Sequence, residues 1–340
     1  MISSSVRGRH QRARSTTCQK KFIWEQMALV KRRSPTARAP AALIASYIGE
    51  RMLTAQTLAG VFWLFYLVLN SAARAADTGV PSQRALDIRV QANAFGTTNP
   101  AEITAVLNST ASEIWRYCPR SQIAGIDVYY RPDHPQTDFK RKANGRIAIG
   151  LSTHDTHWAQ YSFQFAHEFC HALVNFSNNP KELVRYPRHA NLWLEESFCE
   201  TASLFSLKAM NRSWQVAPPY PAWRAYAPWL NDYAAKRLAL PKHQLPPGTS
   251  FLVWFHRNEA ALRRNPDLRD WNTVIAIQFL PIFEAYPSGW EAITYLDRGS
   301  HNPNESLAKR FLTWRLECPK NLRRFVSKLA NVFGLRLQPS

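Results

Sequence analysis

The 340-residue sequence predicts an α+β fold, with a small mixed sheet and long helices in its first part and a mainly helical second part. From residue 84 to about 210, runs of alternating apolar residues interchange with segments that repeat apolar residues every three or four positions. The first pattern is typical of half-buried strands and the second of amphipathic helices. After residue 213 the sequence becomes rich in proline and aromatic residues, and several helical segments follow. We therefore expect a leader over residues 1–75, a mixed lobe over 76–212 and a helical lobe over 213–340.

The first 75 residues have the layout of an export signal behind a disordered extension. Basic residues precede an apolar run over residues 58–69, and residues 73–75 form a small-x-small cleavage site. A bilayer-spanning helix needs about 20 apolar residues, and this run is shorter. The sequence therefore predicts cleavage near Ala75, a secreted or periplasmic protein, and no stable membrane span after processing. Met27 and Met52 remain open as alternative starts.

Cleavage at that site would change the charge balance of the chain. Residues 1–75 hold 12 of the 43 Lys and Arg residues but 2 of the 24 Asp and Glu residues. Residues 76–340 therefore keep 31 basic and 22 acidic residues, a net charge of +9. An exported protein of this charge is attracted to anionic envelope polymers. We expect no nucleic-acid partner, because no nucleic-acid-binding motif accompanies the charge.

Three strands and one helix are predicted between residues 85 and 151. Residues 85–90, 126–130 and 146–151 have the apolar pattern of strands, and the last two form a pair. A helix should begin after Asn99, which is a good N-cap, and run to about Tyr117. We expect residues 146–151 to form the edge strand that pairs with an extended partner.

Two further helices should follow. Aromatic and apolar residues recur at three- and four-residue spacing from Trp158 to Phe176, with Asp155 or Thr156 available as the N-cap. The next helix is predicted over residues 192–209. These two helices carry the residues with metal-ligand chemistry.

The sequence His167-Glu168-Phe169-Cys170-His171 has the HExxH spacing. Residues four apart lie on one face of a helix, so both imidazoles can reach one metal ion. The intervening Glu168 then stands beside a water on that metal, where it can act as general base. This pattern predicts a zinc site that needs a third ligand from another part of the chain.

Two segments resemble gluzincin metallopeptidases. Residues 165–173 resemble the HExxH helix of thermolysin-like enzymes, and residues 193–199, Trp-Leu-Glu-Glu-Ser-Phe-Cys, resemble the segment in which aminopeptidase N-like enzymes carry a glutamate ligand. The resemblance implies a zincin-like lobe with Zn²⁺ held by His167, His171 and Glu196. A metzincin would need Gly and His where this chain has Val174 and Ser177, so that subclass is excluded.

Two other glutamates bear on the third ligand. Glu200 lies one turn after Glu196, and the resemblance implies that it orients the first histidine from behind the metal. Glu195 is the competing ligand, but it lies about 100° round the helix from Glu196. The usual Gly is replaced by Ser197, and no Gly-Ala-Met-Glu-Asn segment is visible, so exopeptidase action is not implied.

Other groups of reactive side chains leave alternatives open. His154, Asp155 and His157 form a candidate second metal site, although polar residues are also expected in a loop before a helix. Cys170 and Cys199 form either a disulfide or two buried thiols, and the pairing with Cys118 and Cys318 is undetermined. The donor that stabilises the transition state should be a Tyr or His of the helical lobe, drawn from the set Tyr220, Tyr226, His243 and His256.

The sequence thus predicts a secreted zinc-dependent peptidase that acts on peptides or proteins. Two alternatives remain: a secreted zincin-fold binding protein that holds an envelope polymer, and an amidase that acts on a non-peptide amide. The presence of His167, Glu168, His171 and Glu196 together favours the enzyme, because a decayed site usually loses one such residue.

Overall fold

The structure is a computed structural model that describes residues 85–92, 94–177, 190–298, 302 and 304–337. The predicted export signal and its cleavage site lie outside the described residues. No helix in the described part of the chain is both long enough and apolar enough to cross a membrane.

A four-stranded mixed sheet occupies the first part of the described chain. Its strands are β1 (Ile88–Val90), β2 (Ile126–Tyr130), β3 (Gln136–Thr137) and β4 (Ile147–Leu151), in the order β1-β2-β4-β3. The strands β1, β2 and β4 are parallel, and β3 is antiparallel to β4. The three predicted strands and the pairing of the second with the third are confirmed.

The prediction that residues 146–151 form the edge strand is wrong. The chain after β2 folds back along β4, where the backbone N–H of Asp138 donates to the carbonyl of Ala148 at 2.9 Å. The strand β4 is therefore paired on both sides and wholly buried, and β3 is the edge. Two residues were too short a run to show as a strand in the sequence pattern.

Arg146 ties three strands together at one end of the sheet. Its buried guanidinium donates to the carboxylates of Asp87 at 2.6 Å and Asp127 at 2.5 Å. It also donates to the carbonyls of Asp87 and Ile126. These contacts fix β1, β2 and β4 in register.

The first helix, α1 (Pro100–Trp115), begins as predicted. Asn99 is its N-cap, and the side-chain oxygen of Asn99 accepts from the backbone N–H of Ala101 at 2.9 Å. Pro at the first helical position loses no hydrogen bond, because that N–H would have no partner in the helix.

The next two helices, α2 (Trp158–Phe176) and α3 (Leu192–Val216), carry the predicted site. The N-cap of α2 is His157, so the prediction of Asp155 or Thr156 is wrong; Asp155 instead adopts φ +53°, outside helical backbone geometry. The helix α3 is longer than predicted because Met210 and Trp214 continue its buried face beyond residue 209.

The remaining described chain is helical, as predicted. It forms α4 (Ala227–Leu238), α5 (Phe251–Arg264), α6 (Arg269–Ala285), α7 (Trp290–Ile293), α8 (Leu307–Glu317) and α9 (Lys320–Val332). The helix α3 continues through residue 213 and packs against α6, where the rings of Phe198 and Phe279 stack with centroids 4.8 Å apart. The α+β fold class is confirmed in its coarse form, a small mixed sheet with many helices.

We predict that Phe279→Ala destabilises the site-bearing helices together with the helical part. The side chain of Phe279 is fully buried against α3, so its removal should lower the free energy of unfolding by about 3–5 kcal/mol. The control Leu316→Ala removes a half-exposed side chain and should change the free energy of unfolding by less than about 0.5 kcal/mol. Urea unfolding of both variants checks this, and equal stabilities would contradict the packing described.

Candidate metal centre

The HExxH residues lie on the face of α2 that meets α3. His167, Glu168 and His171 are all buried, with 2, 4 and 5 % of their surface exposed. The two imidazole centroids are 5.1 Å apart, as expected for residues one turn apart. A hydrogen bond from the hydroxyl of Ser203 on α3 to the carbonyl of Phe163 on α2, at 2.7 Å, fixes the two helices against each other.

The carboxylate of Glu196 faces both histidines. Its oxygens lie 3.3 Å from Nε2 of His167 and 3.5 Å from Nε2 of His171. Burial raises the pKa of Glu196, but attraction to His171 and His167 outweighs it and lowers the pKa to about 2. The carboxylate of Glu196 thus lies near both imidazoles, with a different oxygen facing each Nε2.

The opposite ring nitrogens also meet carboxylates. Nδ1 of His171 is 2.7 Å from Oε1 of Glu195, which also accepts from the side-chain amide of Asn175 at 2.8 Å. Nδ1 of His167 lies 3.8 Å from Oε1 of Glu200. Glu195, the competing ligand in the sequence, therefore contacts His171, whereas Glu200 lies near Nδ1 of His167 beyond hydrogen-bond distance.

The charge of these carboxylates acts strongly on His171. Burial lowers the pKa of His171, but Glu196 and the hydrogen bond to Glu195 outweigh it and raise the pKa to about 10. Burial raises the pKa of Glu195 above its usual value. In the metal-free protein at neutral pH, His171 is therefore an imidazolium.

Glu168 is held by the edge strand, a contact that the sequence did not predict. The hydroxyl of Thr137 on β3 donates to Oε2 of Glu168 at 3.0 Å and to its backbone carbonyl at 2.7 Å. Both residues are buried. The contact joins the predicted general base to the sheet edge, and a two-residue strand 31 positions upstream leaves no local pattern that could have revealed it.

Two arginines from the helical part also approach the site. Nη2 of Arg237 lies 3.6 Å from Oε2 of Glu200, and Nη1 of Arg269 lies 3.7 Å from Oε1 of the same residue. Burial lowers the pKa of Arg269, but the charges of Glu200, Glu196 and Glu168 outweigh it and raise the pKa. Arg269 therefore lies in the electrostatic field of three site carboxylates, and no sequence pattern predicted its approach.

The four predicted donors for the transition state make their hydrogen bonds elsewhere or lie exposed. The hydroxyl of Tyr226 accepts from the backbone N–H of Ala159 at the start of α2. Nδ1 of His243 donates to the carbonyl of Arg237 at 2.6 Å, and its Nε2 lies 3.1 Å from Asp270. Tyr220 and His256 are exposed.

A cysteine adds a further metal-binding group. His167, His171 and Cys199 are buried, their ligand atoms lie within 4.8 Å of one another, and they could hold a metal ion. Cys118, Cys170, Cys199 and Cys318 are all free thiols, so the disulfide between Cys170 and Cys199 is not formed. Burial and the hydrogen bond with Cys170 raise the pKa of the Cys199 thiol well above its usual value.

The residues present fit a metal dication. Glu168, Glu195, Glu196 and Glu200 are four carboxylates within one buried region, and one or both oxygens of Glu195 and Glu200 have no hydrogen-bond partner. Burying several carboxylates together is costly unless positive charge balances them. A dication held by the imidazole nitrogens would supply such charge.

No protein-family model, curated protein or solved structure matched this chain in the comparisons. The functional interpretation therefore depends on the side chains themselves.

We predict that the carboxylates behind the histidines tune metal affinity. Glu195→Gln and Glu200→Gln keep the side-chain volume but remove the charge that makes each imidazole a better ligand. Each variant should weaken zinc binding by roughly 10- to 100-fold. Competition with a chelating dye measures this, and Glu284→Gln, which alters a surface ion pair with Lys208, is the control and should change nothing. If both site variants bind zinc as tightly as the parent protein, Glu195 and Glu200 have no role at the metal centre.

We also predict that metal binding releases a proton at neutral pH. The folded-state pKa of His171 is raised to about 10, so the ring is protonated at pH 7, and a metal needs the neutral ring. Binding should release about one proton, and the metal association constant should rise about tenfold per pH unit between roughly pH 6 and 8. Calorimetric titration in buffers with different ionisation enthalpies counts the proton. Binding heats that are the same in all buffers would contradict the protonated state.

Proposed function

We propose that the protein is an exported, zinc-dependent peptidase of the gluzincin type, with a zincin-like lobe around α2 and α3. Zinc is held by His167, His171 and Glu196, and Glu168 is the general base. The observation that carries the proposal is the carboxylate of Glu196, which lies within 3.5 Å of Nε2 on both histidines. Its substrates are peptides or proteins, and its basic surface attracts it to anionic envelope polymers.

Glu196 is a better third ligand than Cys199. The thiol must lose its proton to bind a metal, and burial beside Cys170 raises its pKa well above the usual value. Glu196 is already ionised, because its pKa is lowered to about 2. Two imidazoles and one carboxylate form the ligand set of catalytic zinc sites that keep a fourth position open.

Glu168 is placed to move protons. Zinc bound at this centre would polarise the substrate carbonyl and lower the pKa of a water molecule. Glu168 accepts the proton from that water and later passes it to the leaving amine. Thr137 donates to Oε2 of Glu168 and so fixes the orientation of the carboxylate. No covalent bond between protein and substrate is needed.

Arg269 is the cation best placed to stabilise negative charge on the substrate carbonyl. Its guanidinium acts on Glu168, Glu196 and Glu200 together, and 27 % of its side-chain surface is exposed. A fixed positive charge beside a reacting carbonyl stabilises the charge that develops in the transition state. Arg237 lies over the ring of Phe163 with its Cζ 4.3 Å from the centroid, and it serves to hold Glu200.

The substrate backbone would lie along β3. This strand pairs with β4 on one side, and an open groove runs along residues 136 and 138–143. An extended peptide can add to such an edge through main-chain hydrogen bonds, which are largely independent of side-chain sequence. Because Thr137 contacts Glu168, a chain on this edge passes the general base.

We predict different losses in two site variants. Glu168→Gln keeps size and hydrogen bonding but cannot accept a proton, so it should bind zinc near one equivalent at the buried site and hydrolyse almost nothing. His171→Ala removes a ligand and should lose that zinc. Zinc content by atomic emission and hydrolysis of an unfolded protein give both measurements on one sample, with Glu284→Gln as the control for the amide substitution.

Parent-like hydrolysis by Glu168→Gln would contradict the mechanism. Zinc bound without hydrolysis of peptides by the parent protein would favour the binding protein that holds an envelope polymer. Hydrolysis of small amides without cleavage of unfolded protein would favour the amidase.

A further inference from the structure

A second group of metal-ligating side chains lies in the loop between β4 and α2. His154, Asp155 and His157 are partly exposed, and one ligand atom from each lies within 4.8 Å of the other two. None of them contributes to the buried centre around His167 and Glu196. We propose that these three residues bind a divalent transition-metal ion such as Zn²⁺ at the protein surface.

His157 already has the hydrogen bonding of a metal ligand. Its Nδ1–H donates to the backbone carbonyl of His154 at 2.7 Å. This contact fixes the neutral tautomer that has its lone pair on Nε2. Histidine ligands commonly donate their other ring N–H to a backbone carbonyl in this way.

Asp155 is held in an unusual conformation that keeps its carboxylate beside His154. Its φ is +53°, which is uncommon for a residue other than glycine. Its backbone N–H donates to the carbonyl of Phe95 at 3.1 Å, and the backbone of Thr97 donates to its carboxylate. A Cβ on Gly96 would lie 2.5 Å from Oδ1 of Asp155, so this close approach requires glycine at position 96.

His154 completes the group. Its Nδ1 lies 2.5 Å from Oδ2 of Asp155, and the centroids of the His154 and His157 rings are 5.6 Å apart. Ligand atoms on tetrahedral zinc lie about 3.3 Å apart, so side-chain rotation must bring the three residues closer together than the 4.8 Å within which their ligand atoms lie.

The donor set selects the class of metal. Two imidazole nitrogens with one carboxylate suit Zn²⁺, Cu²⁺, Ni²⁺ or Co²⁺, whereas Mg²⁺ and Ca²⁺ prefer oxygen ligands. The side chains of His154 and Asp155 are 45 and 44 % exposed, so water can fill the remaining positions. The positive end of the α2 dipole disfavours a cation here, so this site should bind a metal ion more weakly than the buried site. The negative charge of Asp155 acts against the dipole.

The test is the number of zinc ions bound by the full-length protein after its metal has been removed by a chelator. Calorimetric titration with Zn²⁺ should show two sites in the parent protein. His157→Asn and Asp155→Asn should each lower the weaker association constant by more than about 10-fold, since changes behind a ligand alone cost 10- to 100-fold. His256→Ala removes an exposed histidine outside the group and should leave two sites.

The substitutions are chosen to keep the fold. Asn is a favoured N-cap residue, so His157→Asn preserves the start of α2. Asn also tolerates positive φ, so Asp155→Asn preserves the loop. Thermal melts followed by circular dichroism check that both variants unfold at temperatures close to the parent.

The variant His171→Ala separates this site from the buried one. It should retain one zinc ion of the weaker class, and that ion should be lost when His157→Asn is added. A parent protein that binds one zinc ion, with no change on His157→Asn, would overturn the second site. If the parent protein binds a single zinc ion, and that ion survives His171→Ala but disappears with His157→Asn, the surface site is supported and the proposed function is contradicted.

Discussion

The packing of α2 against α3 is the constraint on which the rest of the structure depends. These helices make the most extensive contact between any two elements of the described chain. Apart from Gln160, every residue of α2 is buried, because the sheet strands β3 and β4 and the helices α1 and α3 all pack against this helix. The relative placement of the two helices decides which histidine meets which carboxylate.

That placement buries several negative charges close together. Four glutamates from two helices meet two histidines in a buried region, and buried charges interact strongly. Arg237 and Arg269 reach Glu200, and His171 takes a proton in response to Glu195 and Glu196. The protein thus holds excess carboxylate charge around a point where two imidazoles converge. A zinc ion would relieve it by replacing the proton on His171.

The sequence predicted the local parts of this site well and the non-local parts poorly. The spacing of His167, Glu168 and His171 follows from helix geometry, and Asn99 marked its helix start because capping is a local interaction. The prediction that Glu200 stands behind His167 used the same one-turn spacing. It also depended on the resemblance to gluzincins, because spacing alone does not assign a role.

Contacts between residues far apart in the sequence produced no local sequence pattern that could predict them. Thr137 reaches Glu168 from a strand of two residues, and Arg269 arrives from a helix more than 60 positions after Glu200. The order of the strands in the sheet could not be predicted from the sequence either. Apolar alternation shows that residues 146–151 form a strand, but it does not show whether another strand pairs on each side. Glu195 and Glu196 lie about 100° apart around the helix, and the packing of α3 on α2 decides which nitrogen of His171 each carboxylate approaches.

Zinc K-edge X-ray absorption of the protein loaded with one zinc equivalent tests the central claim directly. The equivalent occupies the stronger, buried site. The account predicts nitrogen and oxygen ligands at about 2.0–2.1 Å, with the signal of two imidazoles and no sulfur. A sulfur ligand at about 2.3 Å would show that Cys199 replaces Glu196, and the catalytic centre proposed here would be wrong.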